Sequence, residues 1–116
     1  MKNLFLILLT FILFACSKDN ANEVNIRLSN ASNVAFESAT FNNINYGDLA
    51  PNQRSEYQTF ERAYNYGSVS ITIEGEVYGW TPIDFVGEEP LKNGNYTFEY
   101  YFDTDTKILT DRLIKE

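Results

Sequence analysis

No histidine occurs anywhere in this chain of 116 residues. The commonest general base and the commonest metal-ligating side chain are therefore missing together. Cysteine occurs once, at Cys16, so no intramolecular disulfide can form. Nucleophile systems of the Ser-His and Cys-His kind are excluded as well. Basic charge is scarce: nine Lys and Arg stand against sixteen Asp and Glu, for a net charge of −7. No basic patch forms along the chain, so nucleic acid is not an expected partner. Attraction to anionic lipid headgroups is disfavoured for the same reason. Beyond residue 15 there is no long apolar run and no convincing helical period, so no transmembrane segment is expected.

What the chain does have begins at residues 1–15. Lys2 supplies a positive start, and residues 4–15 are apolar. Twelve residues of helix would span about 18 Å against a hydrocarbon core of about 30 Å. That is short for a spanning helix and suits a secretory h-region. The run ends in Leu13-Phe14-Ala15-Cys16. This stretch resembles the lipobox of bacterial lipoproteins, with Leu13 at the aliphatic position and Ala15 as the small residue before the cleaved bond. Phe14 is bulkier than the usual occupant of its position. The resemblance implies that residues 1–15 are a signal peptide, with Leu13, Phe14 and Ala15 recognised by the signal peptidase. It further implies that Cys16 becomes the lipidated first residue of the product. Its covalent lipid would be the only prosthetic group, and no other cofactor is expected. Two or more acyl chains hold effectively for good, whereas one binds reversibly. The alternative is an ordinary signal peptide cut nearby, with Cys16 incidental.

Cleavage before Cys16 would leave 101 residues carrying eight basic and sixteen acidic side chains, net −8. That is the length of one domain. Residues 16–23 are the cysteine and a tether, residues 17–23 being polar and without periodicity. Seven such residues reach at most about 25 Å, so the domain would stay near the membrane. Ser17 differs from the aspartate that retains lipoproteins in the inner membrane. Ser17-Lys18-Asp19-Asn20 is similar to the export signal of surface lipoproteins in Bacteroidota, with one acid where several are usual. The expected location is the outer membrane, through a lipid anchor. Whether the domain faces the periplasm or the cell exterior is left open, and protease shaving of intact cells would decide it.

From residue 24 onward a period of two dominates. Val24, Ile26 and Leu28 alternate with polar residues in a first strand, followed by a turn cluster at 29–33. Residues 34–41 form a second strand whose phase blurs at Ser38 and Ala39, which suggests a bulge. Residues 42–53 read as a long polar connection, with Pro51 and Asn52 set for a turn. Residues 54–60 read as a strand, and 61–67 as a loop crossing between sheets with Tyr64 and Tyr66 packed beneath it. Val69, Ile71 and Ile73 define the clearest strand, 68–74. Glu74-Gly75 is a two-residue turn into a strand at 76–80. An irregular stretch at 82–95 ends in the turn signal Asn93-Gly94. Tyr96, Phe98, Tyr100 and Phe102 then alternate through another strand, a turn follows at 103–107, and a strand at 108–114 closes the chain.

These seven short strands predict an all-β fold, a single small antiparallel β-sandwich over 24–116 of immunoglobulin-like or transthyretin-like topology. This stretch resembles the small β-sandwich lipoproteins of Bacteroidota, a group without an assigned activity.

Candidate chemistry is thin. Glu88-Glu89 is the only adjacent carboxylate pair, and neighbours on an extended chain point apart, so no catalytic residue and no enzyme activity is expected. Asp103 and Asp105 could offer oxygen ligands to Ca²⁺. The competing reading is a hairpin whose Asp side chains bond their own backbone, and no metal site is expected. Tyr64, Tyr66, Tyr78, Trp80 and Phe85 could stack on sugars or anchor a protein partner if exposed together, or else fill the core. Of Tyr78 and Trp80, one is expected to face inward and the other outward, the outward one being the candidate ligand contact. The functional expectation is a lipid-anchored, non-catalytic binding or accessory module. Its rivals are a glycan-binding component of a nutrient-uptake system and a structural subunit or spacer of a surface assembly. An exposed aromatic shelf would favour glycans, and a long unpaired edge strand would favour assembly.

Overall fold

The computed structural model describes residues 23–82 and 89–116. The expectations placed on Leu13, Phe14, Ala15, Cys16, residues 17–22, Phe85 and Glu88 lie outside the described residues. Among the described residues eight strands form: β1 (Val24–Asn30), β2 (Phe36–Phe41), β3 (Ile44–Leu49), β4 (Gln58–Phe60), β5 (Val69–Ile73), β6 (Glu76–Trp80), β7 (Gly94–Asp103) and β8 (Ile108–Lys115). They make two four-stranded sheets, ordered β4-β1-β7-β8 and β3-β2-β5-β6. The expected β-sandwich is thus present, with one strand more than the seven read from the sequence.

Its core follows from alternation. Val24, Ile26 and Leu28 of β1 are buried, as are Val69, Ile71 and Ile73 of β5 and all four alternating aromatics of β7. Each strand presents one apolar face, and the two sheets cover each other's. Phe98 sits at the centre, its ring 4.7 Å from Phe41 and 6.4 Å from Tyr100. Trp80 packs on Tyr100 and Tyr78 on Phe102, while Phe60 meets Phe41 edge to face.

One ladder departs from the antiparallel expectation. β1 and β7 run parallel in unbroken register from Val24 opposite Gly94 to Asn30 opposite Tyr100. Half-buried parallel and antiparallel strands show the same alternation, so strand direction was not readable. Asn93-Gly94 opens this ladder rather than closing a hairpin. The Glu23 amide donates to the Asn93 side-chain oxygen, and the Gly94 amide donates to the Glu23 carbonyl.

The 42–53 segment is not a long connection. It holds β3, joined to β2 by a two-residue turn in which Asn42 (φ +49°) and Asn43 (φ +66°) are both left-handed. Paired positive φ values are what a type I′ turn requires, and Asn tolerates them. Alternation in β3 is broken because the β2–β3 register shifts on both sides of the Ala39–Gly47 pair. The expected bulge at Ser38 and Ala39 is therefore real, with Ser38 at φ +48°. Pro51 and Asn52 form the expected turn, closed by the Gln53 amide on the Ala50 carbonyl, with Asn52 at φ +66°.

The strand expected at 54–60 is mostly irregular. Arg54 bridges Ser29, but regular pairing resumes only at Gln58 opposite Ile26, one residue out of step. Ser55 fills the gap: its amide donates to the Leu28 carbonyl, and its hydroxyl oxygen accepts from the Leu28 amide. Residues 61–68 cross to the second sheet as expected. Tyr64 and Tyr66 are half-buried there, with ring centroids 6.4 Å apart.

Candidate functional site

Tyr78 and Trp80 do not split between faces. Both are half-buried, and both pack inward on β7 aromatics. Residues two apart on a strand share a face, so the expectation of one inward and one outward ring was wrong. The outward residues of β6 are Val77 and Gly79, while Glu76, on the same face as Tyr78 and Trp80, is exposed because it stands at the start of the strand. Burial and a hydrogen bond donated to Glu76 push the Tyr78 hydroxyl pKa up. Neither ring contributes to an aromatic shelf.

The Asp103 carboxylate accepts from the amides of Asp105 (2.9 Å) and Thr106 (3.3 Å). It caps its own turn, as the competing reading held. Among the described residues, no group of three His, Cys, Asp or Glu side chains is placed to hold a metal ion.

A polar cluster that sequence reasoning missed lies on the outer face of the first sheet. Arg27 of β1 pairs with Thr97 of β7, and its Nε donates to the Thr97 hydroxyl at 3.0 Å. That hydroxyl donates to Glu116, whose carboxylate stands 3.5 Å from the Arg27 guanidinium. The guanidinium lies 4.7 Å from the centre of the Tyr57 ring, within reach of a cation–π contact. Thr97 is only 1% exposed although it faces away from the core, because these long side chains close over it. A second polar row runs beside it, from the Thr59 hydroxyl to Asn25 and from Asn25 to Asn95.

Thr97's hydrogen bond, then the nearby charges of Arg27 and Arg54, hold the Glu116 carboxyl below its ordinary pKa of 4.5. A carboxyl with a lowered folded-state pKa stabilises the fold above the unfolded value, and that stability is lost as pH falls through the folded value. The difference in melting temperature between the wild type and Glu116→Gln is therefore expected to be largest above about pH 5. It should shrink toward zero in acid, as thermal melts across pH 3–7 would register. A difference independent of pH would refute the assignment.

Next to this cluster a groove of about 420 Å³ opens between β3 and the irregular 53–57 segment. Arg27, Asp48, Gln53, Arg54, Glu56 and Tyr57 line it, with Tyr46 at its base. The Tyr46 hydroxyl donates to the Ile26 carbonyl at 2.9 Å, tying the groove floor to β1, and burial pushes its pKa up. Gln53 uses its side-chain oxygen to accept from the Ala50 amide, which leaves its NH₂ for a ligand. Asp48 is fixed by accepting from the Ser38 amide at 2.9 Å. Arg54 has no ion pair among the described residues. The groove thus mixes cations, acids and an amide around one partly exposed tyrosine.

Its members come from β1, β3 and the interrupted strand, and the adjoining cluster joins residues 70 positions apart. No spacing rule connects them. The only local hint was Arg54-Ser55-Glu56-Tyr57, where alternation fails. Compared with known proteins, the chain matches no family model and no curated protein.

Proposed function

We propose that this chain is a lipid-anchored lipoprotein of the outer envelope whose β-sandwich serves as a non-catalytic binding or accessory module. The anchor rests on the sequence Leu13-Phe14-Ala15-Cys16, in which the only cysteine of the chain sits at the lipidated position. Acyl chains on Cys16 would attach the protein to the membrane, and residues 17–23 would hold the domain close to it. Metabolic labelling with a palmitate analogue is expected to mark the wild type and to leave Cys16→Ser unlabelled. Equal labelling of both would remove the anchor from the account.

The binding role rests on one observation, the groove between β3 and residues 53–57, with Arg54, which makes no ion pair among the described residues, and the adjacent face of Tyr57. Directional donors and acceptors around an aromatic face suit a polar ligand. That favours a neutral glycan over an anion, because Asp48 and Glu56 offset the two arginines. A screen of neutral oligosaccharides by ligand-observed NMR is expected to find binding that Tyr57→Ala abolishes. Binding unchanged in that variant would separate the activity from the groove. The role of a structural subunit or spacer of a surface assembly is favoured instead by the length of β8, and a cross-linking pull-down from intact cells would separate the two.

A further inference from the structure

Among the described residues the sandwich has four edge strands, and three are poor templates for pairing. β3 carries two register shifts, β4 has three residues and β6 has five. Short, bulged edges resist strand addition. β8 differs: it has eight residues, no proline, and unbroken register with β7 from Lys115 opposite Tyr96 to Ile108 opposite Asp103.

Its free hydrogen-bonding groups can be assigned. The Glu116 amide donates to the Asn95 carbonyl at 2.9 Å. In an antiparallel ladder, pairs that exchange hydrogen bonds alternate with pairs that do not. Ile114, Arg112, Thr110 and Ile108 therefore bond to β7, while the amides and carbonyls of Leu109, Asp111, Leu113 and Lys115 point outward from the sheet edge. The side chains of these last four lie on the core-facing side, since Leu109, Asp111 and Leu113 stand opposite the buried Phe102, Tyr100 and Phe98.

Two opposite charges flank Leu113 on that side at equal distance, Asp111 and Lys115, and neither has an ion pair among the described residues. Two copies related by a two-fold axis must set residues of the same face opposite each other. An axis at Asp111 or at Arg112 brings like charges face to face, which destabilises a sheet pair. An axis at Leu113 sets Asp111 opposite the partner's Lys115 and Lys115 opposite the partner's Asp111, around a leucine pair continuous with the core.

We propose that β8 is a self-association edge, at which a second copy of this chain pairs antiparallel about Leu113, so that the β4-β1-β7-β8 sheets of the two copies become one continuous sheet. This inference does not depend on the lipid anchor or on the groove.

Charge reversal tests it on the full chain by sedimentation. Asp111→Lys or Lys115→Asp alone is expected to weaken dimerisation at least about tenfold, equivalent to about 1.4 kcal/mol. The combined swap Asp111→Lys/Lys115→Asp should restore it, because the pairing across the axis is regenerated. Circular dichroism would verify that each variant is folded. A second measurement uses Leu113→Cys in the chain that retains Cys16. Directly opposed hydrogen-bonded residues have Cα atoms about 5.5 Å apart, within disulfide range, so oxidation should give a covalent dimer. Val77→Cys, exposed on the other sheet, is the control. A wild type that stays monomeric at all concentrations, a double swap no better than the single variants, or a Leu113→Cys yield equal to that of Val77→Cys would each overturn the proposal. The β8 charges would then be guards against pairing.

Discussion

Phe98→Ala is expected to remove about 3–5 kcal/mol of stability. Phe98 is fully buried and lies between Phe41 of the opposite sheet and Tyr100 of its own strand. Truncation loses the transfer energy of the ring and leaves a cavity that neighbours on two extended strands cannot collapse to fill. The rings nearby are fixed by their own partners: Tyr100 by Trp80, and Phe41 by Phe60. A domain of this size has a total stability of about 5–15 kcal/mol, and there is no disulfide to restrain the unfolded chain. The melting temperature should fall by roughly 15 °C or more. Urea unfolding of both proteins would measure it, and a loss under about 1 kcal/mol would show that the two sheets do not close on this ring.

The second large effect is expected at Gly79, in the middle of β6. Its φ is +156°, and a Cβ there would lie 1.9 Å from the Val69 carbonyl oxygen and 2.7 Å from the carbonyl carbon. Both atoms are backbone of the neighbouring strand, so no rotamer change relieves the clash. Either the β5–β6 ladder separates or Gly79 leaves its conformation. Gly79→Ala should therefore destabilise the fold by about 3 kcal/mol. Gly75, in the turn between the same two strands, provides the comparison. It has φ +83° and nothing within 4 Å of an added Cβ, so Gly75→Ala should cost only about 1 kcal/mol for its left-handed backbone. Equal losses in the two variants would mean that backbone conformation alone, and not the approach of β5, governs Gly79.

Legibility in the sequence followed regularity. β5 and β7 were plain because Val69, Ile71 and Ile73, and the four alternating aromatics of β7, keep a strict period of two along their length. β3 was missed because its register shifts next to Gly47, so Ile44, Tyr46 and Leu49 do not alternate. The Asn42-Asn43 pair between Phe41 and Ile44 was a hairpin signal that could have revealed it. Residues 54–57 misled for the opposite reason: they read as extended, but the ladder slips by a residue and the Ser55 side chain replaces a backbone partner. The groove and the Arg27–Thr97–Glu116 cluster had no local signature at all. The inward-and-outward split expected of Tyr78 and Trp80 failed on geometry, since both rings belong to the same face.

By itself the sequence determined the fold class and the apolar faces, because alternation and turn residues act between near neighbours. It also determined the chemistry missing from the chain, since a residue type that is absent is absent from every conformation. Only the tertiary structure decided that β1 runs parallel to β7, that Arg27 meets Thr97 across 70 positions, and that, among the described residues, β8 is left at an edge with Asp111 and Lys115 without an ion pair. Those outcomes depend on which strand lies beside which, and pairing between distant strands is fixed by how the two apolar faces close on each other, not by any spacing along the chain.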